Sequence, residues 1–325
     1  MVDKIFNNIK EELQGVEKNI LLSNYTTYKI GGPAKYFFVA KTKEDLIKAI
    51  GLSKKIKIHT FILGGGSNLL ISEKGFNGLV IKIDIMGAEL VGNKLIVGAG
   101  EKLAKLSYLT ADAGLSGLEW STGIPSAAIG GSIYGHAQGF GTKISSIIES
   151  VQAINSKTLK IESFTNKQCQ FSLKNSIFKR NKNLIIISAI LVFKKVKTEE
   201  VRKKIKEFLD YRRAHHPIEF PSPGSAFVNP EKKIASKKLL EKYPELEKFN
   251  KIGIIPAGYL IAKSGLAGKK IGNAQISEKH SNFIINLGGA KAKDVMALVK
   301  LAKAKVKKNF GISLEPEVQF VGFPK

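Results

Sequence analysis

The sequence is poor in cysteine and has no long apolar run, and each scarcity excludes a class of protein. The single cysteine, Cys169, excludes an internal disulfide. It lies in an alternating segment, which favours a small core residue over the alternative of a nucleophilic thiol. No run reaches the roughly 18 apolar residues that span a bilayer, and Met1–Phe6 lacks an apolar signal core. We therefore expect a cytoplasmic protein with no membrane partner.

Two common nucleotide-binding motifs are also missing. A dinucleotide fingerprint needs glycines at positions i, i+2 and i+5, but Leu69 occupies the i+5 position counted from Gly64. The stretch Gly265–Lys269 is too short for a P-loop. A nucleotide site in this chain is therefore of neither the Rossmann nor the P-loop kind.

Negative charge is scarce as well, because 52 lysines and arginines face 27 aspartates and glutamates, for a net charge of +25. Such an excess raises the possibility of nucleic-acid binding. However, the lysines are spread through nearly every segment, and arginine, the preferred reader of bases, is rare. We therefore expect a solvated basic surface, or one that attracts anionic small molecules, and no nucleic-acid partner. The arginines are Arg180, Arg202, Arg212 and Arg213.

Glycine is abundant where chemistry is expected. The run Gly64–Gly66 follows the apolar segment Thr60–Leu63, which is typical of a buried strand. Without Cβ atoms the backbone N–H groups of such a turn can approach a phosphate closely, although a purely structural turn is the alternative. A second glycine-rich region covers 123–132 and continues to 141. Together the two regions suggest a dinucleotide held between two subdomains.

Elsewhere the pattern predicts a mixture of strands and helices, with a charged helix, Glu199–Arg213, as a domain boundary. Thr42 and Asp45 form a capping-box signature for a helix that runs to about Ser53. Further helices are predicted at Leu103–Ala113, Ala257–Lys263 and Lys291–Lys308. Strands are predicted at Lys35–Ala40, Phe61–Leu63, Leu79–Ile83, Lys94–Val97, Ile148–Ile154, Lys160–Phe164, Leu184–Phe193, Phe283–Asn286 and Leu314–Phe320.

Several ordered motifs, from near one end of the chain to the other, resemble the UDP-N-acetylenolpyruvoylglucosamine reductases (MurB). The uninterrupted segment Asn181–Phe193 resembles the type without an extra substrate-covering loop. The matching stretches are Tyr25–Ala34, Leu63–Leu70, Gly117–Trp120, Gly123–Pro125, Gly224–Pro230, Ala257–Ile261, Ser277–His280 and Leu314–Val318.

The resemblance implies an α+β (α/β-rich) fold. Its FAD-binding part would be of the vanillyl-alcohol-oxidase (PCMH) type, covering 1–198 in subdomains of about 1–70 and 71–198. A C-terminal α+β substrate-binding domain would cover 199–325, with the last strand, 314–320, returning to the active site. A monomer is expected. The implied cofactor contacts are Gly64, Gly65, Gly66, Ser67, Asn68, Leu69, Gly123, Ile124, Pro125, Gly130, Gly131, Ser132 and His136.

The family resemblance also implies a reaction in peptidoglycan precursor synthesis. NADPH reduces non-covalent FAD, hydride passes from the reduced FAD to C3 of the enolpyruvyl ether, and a proton is added at C2. The product is UDP-N-acetylmuramate. An enol ether accepts hydride only if the charge developing toward its carboxylate is stabilised and a proton donor stands at C2. We therefore expect an oxidoreductase acting on a UDP-sugar.

By the same resemblance, Ser225 is the proton donor, Glu317 a catalytic glutamate supported by Glu315, and Lys174 occupies the position of a catalytic arginine. A glutamate near developing negative charge must be protonated or must orient a cation or a water. The alternatives are a turn serine that bonds backbone, a strand-end ion pair and an exposed lysine. Asn229, Lys279 and His280 are the expected substrate contacts, with His280 otherwise bracing its loop.

Some positions depart from the family pattern near the flavin and the substrate. His136 and Gln138 replace an asparagine and a glycine in the second flavin turn, and Gln319 replaces an arginine. The stretch 125–130 is one residue longer than usual. His136 is expected either to bond the flavin or to be a satisfied turn histidine. Another flavin oxidoreductase of the same fold, or a decayed reductase that only binds UDP-sugar, therefore remains an alternative.

Overall fold

A computed structural model of the protein describes residues 4–323, which fold into two compact units. The first unit contains 33–66 and 75–212 together with the N-terminal residues through Leu21, and the second contains 22–32, 67–74 and the residues from Arg213 onward. The division therefore differs from the expected boundary at 198/199. Most of the helix predicted at Glu199–Arg213 belongs to the first unit, and two short N-terminal segments belong to the second.

The predicted helices and strands appear in the expected order, most with small shifts at their ends, and further elements that were not predicted lie between them. The helices are α1 (Lys4–Glu12), α2 (Lys43–Lys55), α3 (Leu103–Asp112), α4 (Ile129–Tyr134), α5 (Ile177–Arg180), α6 (Thr198–His215), α7 (Lys237–Lys242), α8 (Glu245–Ile252), α9 (Ala257–Lys263) and α10 (Ala292–Phe310). Within residues 4–323, no helix has the length and apolar character that a membrane span requires.

The strands are mostly short. They are β1 (Glu17–Leu21), β2 (Pro33–Ala40), β3 (Thr60–Leu63), β4 (Leu69–Ile71), β5 (Phe76–Ile83), β6 (Ala88–Val91), β7 (Lys94–Gly98), β8 (Leu115–Ser116), β9 (Gln138–Gly139), β10 (Thr142–Lys143), β11 (Ile148–Asn155), β12 (Ile161–Thr165), β13 (Leu184–Val192), β14 (Lys194–Lys195), β15 (Lys270–Ile271), β16 (Ala274–Ile276), β17 (Ile284–Asn286) and β18 (Gln319–Val321).

The first unit is built on two sheets. One has the order β1-β2-β5-β3, with β5 parallel to both β2 and β3, and the other is an antiparallel sheet of order β12-β11-β13-β7-β6. Helix α2 begins with the predicted capping box, because the Thr42 side chain accepts from the Asp45 N–H and Asp45 accepts from the Thr42 N–H, both at 3.0 Å. Apolar residues from both sheets and their helices form one core cluster, which includes the buried Cys169. Burial raises the pKa of the Cys169 thiol to about 11, as expected for a core cysteine.

The second unit has its own core. Its helix α10 buries one face, with Val295, Leu298 and Val306 among the buried side chains, in the same cluster as residues of α9 and β16. Strands β15, β16 and β17 form an antiparallel sheet, and β18 pairs in parallel with β4. Gly311, with φ +70°, ends α10 in the left-handed region that glycine tolerates best.

Two predicted elements differ from the structure. The strand expected at Leu314–Phe320 is only Gln319–Val321, and 314–318 is an extended segment whose single bridge joins Pro316 to Phe227. Proline has no N–H for a continuous ladder, so regular pairing does not extend through this position. The second glycine region, expected as a turn, contains the short helix α4, because its N–H groups bond back to Ala128 and Gly131.

Candidate active site

The two glycine-rich regions meet within the first unit. A Cβ added to Gly65 would overlap the Ser126 carbonyl oxygen and lie 2.7 Å from the Ala128 nitrogen. Gly64 faces Gly131 at ordinary van der Waals distance. The backbones of the two regions thus approach more closely than any residue larger than glycine would allow at position 65. This close approach is what a cradle for a bulky anion needs.

The second region is itself anchored on the rest of the first unit. Gly130 donates its N–H to the Ala99 carbonyl at 3.0 Å, and Ser132 donates its hydroxyl to the Ala128 carbonyl at 2.9 Å. Ser132 is buried, so its hydroxyl serves the helix α4. Just before the turn Gly123–Pro125, the Trp120 carbonyl accepts from Arg212 of α6 at 2.8 Å.

His136 uses both ring nitrogens inside the first unit. Nδ1 bonds the Ser172 carbonyl, which can only accept, so Nδ1 carries the proton. Nε2 lies 2.8 Å from the Ser145 hydroxyl, and the ring packs against Phe171 with 4.9 Å between ring centroids and a tilt of 30°. Burial lowers the pKa of His136, and the charges of two lysines add to this effect. These contacts favour a bracing role, while direct contact with the flavin stays a prediction.

The partner of His136, Ser172, begins the turn that carries Lys174. Ser172 and Asn175 exchange backbone hydrogen bonds of 3.0 and 3.1 Å, and Lys174 between them has φ +51°. Lys179 donates its ammonium to the Lys174 carbonyl at 2.8 Å. A lysine in the left-handed region is uncommon, and such conformations persist where the surroundings fix them. The half-buried Lys174 is therefore presented at a defined place on the first unit.

Ser225 and Glu317 come together in the second unit around one residue, Ala226. The Glu317 N–H donates to the Ala226 carbonyl at 2.9 Å, and the Val228 N–H donates to the Glu315 carbonyl at 2.9 Å. Phe227 and Pro316 face each other between these bonds, where the missing proline N–H costs nothing. The structure thus fixes Ser225 and Glu317 on neighbouring extended segments.

The hydroxyl of Ser225 makes no hydrogen bond to another residue among 4–323. The neighbouring Ser222 is the residue that bonds the turn, since its hydroxyl lies 3.5 Å from the Gly224 N–H. The turn role considered for Ser225 is therefore filled by Ser222. This leaves the half-buried Ser225 hydroxyl available to a substrate.

Asn68, just after the glycine run, also contacts the Glu317 segment. Its side-chain amide donates to the Glu317 carbonyl at 3.1 Å, and its own carbonyl accepts from the Gln319 N–H at 3.1 Å. Leu69 then pairs with Gln319 in the β4–β18 ladder. Ser67 and Asn68 lie in the second unit, whereas Gly64, Gly65 and Gly66 lie in the first. The glycine run therefore contains the boundary between the units, a feature that its sequence did not indicate.

The three expected substrate contacts all lie in the second unit. Asn229 accepts the Ala257 N–H at the start of α9, at 2.9 Å, and the exposed Lys279 donates to the Arg213 carbonyl at 2.6 Å. His280 packs against His216 and Phe283, with ring centroids 5.4 and 4.8 Å away. Burial lowers the pKa of His280, and the nearby His215 lowers it further.

Asn282 is a site residue that sequence reasoning missed. It is 2% exposed, and it bonds Ala226 and Phe227, the residues that follow Ser225. The only available signal was a polar residue directly before a predicted strand, and polar residues at strand ends are common. No group of three or more His, Cys, Asp or Glu side chains within 4–323 is arranged to hold a metal.

Comparison with known proteins tests the expected family. Residues 216–321 match the C-terminal domain of UDP-N-acetylenolpyruvoylglucosamine reductase, and residues 34–158 match an FAD binding domain. The reductase 1 of Bacillus cereus is 36% identical over 318 residues, which are 97% of each chain. The chain belongs to the UDP-N-acetylenolpyruvoylglucosamine reductase family.

Further relatives agree with this assignment. The UDP-N-acetylenolpyruvoylglucosamine reductase of Caldicellulosiruptor bescii is 35% identical over 313 residues, or 95% of this chain and 92% of that one. The crystal structure of the reductase (MurB) from Thermus caldophilus matches with a TM-score of 0.74 and 31% identity, covering 94% of this chain and 98% of that chain. The expected family and α+β fold are thereby confirmed.

The first unit also fits the cofactor of this family. The FAD-binding match spans both glycine regions, including Gly65, where a Cβ atom would overlap the backbone of the second region. The expectation of an FAD-dependent oxidoreductase is therefore confirmed at the level of the family. Contact of residues 64–66, 123–125 and 130–132 with the cofactor stays a prediction, and the N–H groups of Ile124, Gly130 and Ser132 are already donated to backbone carbonyls of the first unit.

Proposed function

We propose that this protein reduces UDP-N-acetylenolpyruvoylglucosamine to UDP-N-acetylmuramate with NADPH as the reductant. The observation that carries the proposal is the pairing of Ser225 and Glu317 around Ala226 in the domain that matches the family. Bound FAD would supply the hydride that is added at C3 of the enolpyruvyl group. The chain's own residues must then bind the sugar nucleotide, stabilise its carboxylate and deliver a proton to C2.

Ser225 is proposed as the donor of that proton. A free serine is a weak acid, so it transfers a proton only to a carbon that already carries enolate-like charge, and only from close range. Two observations support the role: the Ser225 hydroxyl has no partner among residues 4–323, and the backbone on both sides of it is fixed by hydrogen bonds. Little reorganisation would then be needed when the charge develops.

Glu317 is proposed to act beside Ser225. Because an ionised carboxylate would repel a developing enolate, Glu317 must be protonated or orient a cation or water there. Glu317 is half-buried, whereas Glu315, which shares the same segment, is exposed. This difference supports Glu317 as the catalytic carboxyl, with Glu315 supplying a backbone acceptor to Val228.

Lys174 is proposed to stabilise the carboxylate of the enolpyruvyl group. Its ammonium provides the positive charge that the chemistry needs, but it lacks the planar, two-pronged contact of an arginine. The fixed, left-handed turn that presents Lys174 supports this role. Replacement by arginine should therefore preserve the function, whereas replacement by methionine should remove it.

Stopped-flow measurement of the two half-reactions tests the proposal. The purified protein should carry flavin, NADPH should bleach its absorption, and the enolpyruvyl-UDP-sugar should restore it. Ser225→Ala should leave bleaching by NADPH largely intact and should slow reoxidation by the substrate by roughly 10²- to 10⁴-fold, the range typical of a lost general acid. Ser236→Ala, at the start of α7 in the same unit, is the matched control and should reoxidise at the wild-type rate.

Two results would overturn the proposed reaction, and a third would overturn only the role of Ser225. A protein that takes up no flavin after reconstitution would exclude it altogether. Equal slowing of both half-reactions in Ser225→Ala would exclude the proton-donor role while leaving the overall reaction in place. Rapid oxygen consumption with an alcohol, and no reoxidation by the UDP-sugar, would indicate a different flavin oxidoreductase on the same fold.

A further inference from the structure

Asn282 makes an unusual set of contacts with the segment that follows Ser225. Its side-chain oxygen accepts the Phe227 N–H at 3.0 Å, and its side-chain nitrogen donates to the Phe227 carbonyl at 2.9 Å. Its backbone carbonyl accepts the Ala226 N–H at 2.7 Å. One buried residue therefore satisfies three backbone groups in the two residues after Ser225.

These bonds replace a strand. Among residues 4–323, one backbone bridge lies on this side and joins Ser225 to Phe283, and no regular ladder continues beyond it. On the opposite side, the same short segment is bonded by Glu315 and Glu317. The segment 225–228 is thus held from both sides, and on one side the amide of Asn282 supplies the hydrogen bonds that another strand would provide.

We infer that Asn282 is a positioning residue for proton delivery by Ser225, an inference that rests on the proposed function. The bonds of Asn282 set where the backbone of Ala226 lies, and this backbone is bonded directly to the Glu317 N–H. Loss of the Asn282 amide leaves the buried Phe227 N–H and carbonyl unpaired, so the segment must shift to find new partners. A misplacement of about 1 Å at a reacting centre can cost on the order of 100-fold in rate.

The chain offers a matched control for this arrangement. Asn250 bonds Ile234 in the same two-pronged way, with the Ile234 N–H donating at 2.8 Å and the Asn250 amide donating back at 2.8 Å. This pair of hydrogen bonds between Asn250 and Ile234 lies in the same unit but not on the Ser225 segment. Asn250→Ala should therefore lower stability through the same chemistry without affecting proton delivery.

The test compares Asn282→Ala, Asn282→Asp and Asn250→Ala in both half-reactions. Asn282→Ala should slow reoxidation by the UDP-sugar by roughly 10- to 100-fold and leave reduction by NADPH unchanged. Asn282→Asp keeps an acceptor for the Phe227 N–H. Its rate of reoxidation should therefore lie between those of wild type and Asn282→Ala. Because Asn282 acts through Ser225, adding Asn282→Ala to Ser225→Ala should slow reoxidation little further.

Hydrogen exchange gives a readout that does not depend on activity. The amide of Phe227 should lose protection in Asn282→Ala, while the Ile234 amide should lose it only in Asn250→Ala. Unchanged protection at Phe227 would overturn the proposed role of the Asn282 side chain, whatever reaction the protein catalyses. Three results would overturn the positioning role. Asn282→Ala could reoxidise at the wild-type rate although its Phe227 amide has lost protection, or it could slow reoxidation as much in the Ser225→Ala protein as in wild type. The third is that Asn250→Ala slows reoxidation as much as Asn282→Ala. If Ser225→Ala does not slow reoxidation selectively, the proton-donor role of Ser225 is wrong, and absence of flavin after reconstitution would exclude the proposed function itself.

Discussion

At the scale of single residues, the contacts of His280 in the second unit favour its neutral form. Its Nδ1 atom accepts the Asn282 N–H at 3.3 Å, so the proton of the neutral ring lies on Nε2. Protonation of Nδ1 would remove this acceptor and place a charge beside His216 and close to His215. The folded state therefore resists protonation of His280, in agreement with a pKa lowered mainly by burial.

This preference predicts a dependence of stability on pH. Because the pKa of His280 is lower in the folded than in the unfolded chain, the unfolded state takes up the proton first. The free energy of unfolding should thus be unaffected by His280 above the unfolded value near about 6.5, and should fall as pH decreases from there toward the lower folded value. Urea midpoints measured from about pH 7.5 down to about pH 5 test this slope.

The comparison needs a variant that does not titrate. His280→Gln should show a shallower loss of stability below about pH 6.5 than wild type. His59→Gln, at an exposed histidine, should keep the wild-type slope. Identical slopes in wild type and His280→Gln would show that His280 is not responsible for the acid sensitivity.

Contiguous motifs in the sequence resemble the family and so point to Ser225, Glu317 and the glycines, whose roles stay predictions. Asn282 was not identifiable in this way, because its role depends on contacts with Ala226 and Phe227, more than fifty residues earlier, which only the fold creates. The two uses of His136, on Ser145 and Ser172, were hidden for the same reason.

At the scale of elements, the first glycine turn is defined by how closely it approaches the second region. The atoms that a Cβ on Gly65 would meet are the Ser126 carbonyl oxygen and the Ala128 nitrogen, both backbone atoms that cannot rotate away. Gly65→Ala should therefore push the two regions apart. Overpacking of this kind typically costs about 1–3 kcal/mol, which corresponds to about 5- to 150-fold in flavin affinity.

The flavin content of the purified protein measures this effect. Gly65→Ala should emerge with little bound flavin and should need a higher FAD concentration to recover it. Gly51→Ala, inside helix α2, is the control. Its Cβ would meet only the tip of the Leu159 side chain, at 3.4 Å. This variant should keep its flavin and gain up to about 1 kcal/mol of stability. Equal flavin content in the two variants would contradict the steric argument.

Elements with strong local signals were predicted well, and those set by distant partners were not. Helix α2 has its capping box in the sequence, and the strand Ile148–Asn155 has a clear apolar pattern. The segment before β18 looked like a continuous strand because its apolar residues alternate. It changes partner at Glu317, from the backbone of Ala226 on one side to Asn68 and β4 on the other. No local pattern encodes such a change.

At the scale of the whole molecule, the second unit is discontinuous along the chain. The match to the reductase C-terminal domain covers 216–321, but the compact unit also contains 22–32 and 67–74. These segments supply β4, the partner of β18, and the Tyr28 carbonyl, which accepts the Asn286 amide at 3.0 Å. The C-terminal part therefore depends on residues that precede it by more than a hundred positions.

A fragment of residues 213–325 should consequently not fold on its own. It lacks the buried side chains of Tyr28, Ile30 and Leu70, each of which belongs to the core cluster of the second unit. Burial of a large apolar side chain is worth about 1.5–3 kcal/mol, so three of them account for much of the 5–15 kcal/mol that typically separates folded from unfolded domains. The fragment should show no cooperative unfolding in urea, monitored by circular dichroism.

Leu70→Ala in the intact chain tests the same dependence without truncation. Leu70 is 0% exposed, and its replacement by alanine should cost about 2–5 kcal/mol. Hydrogen exchange should accelerate first in α10 and β16, which share the core of Leu70, although more than two hundred residues separate them from it along the chain. A fragment that unfolds cooperatively, or a Leu70→Ala protein whose α10 amides stay protected, would show that the C-terminal domain is self-sufficient. The expected outcome instead makes the short segments 22–32 and 67–74 part of that domain, since without them β18 has no strand to pair with.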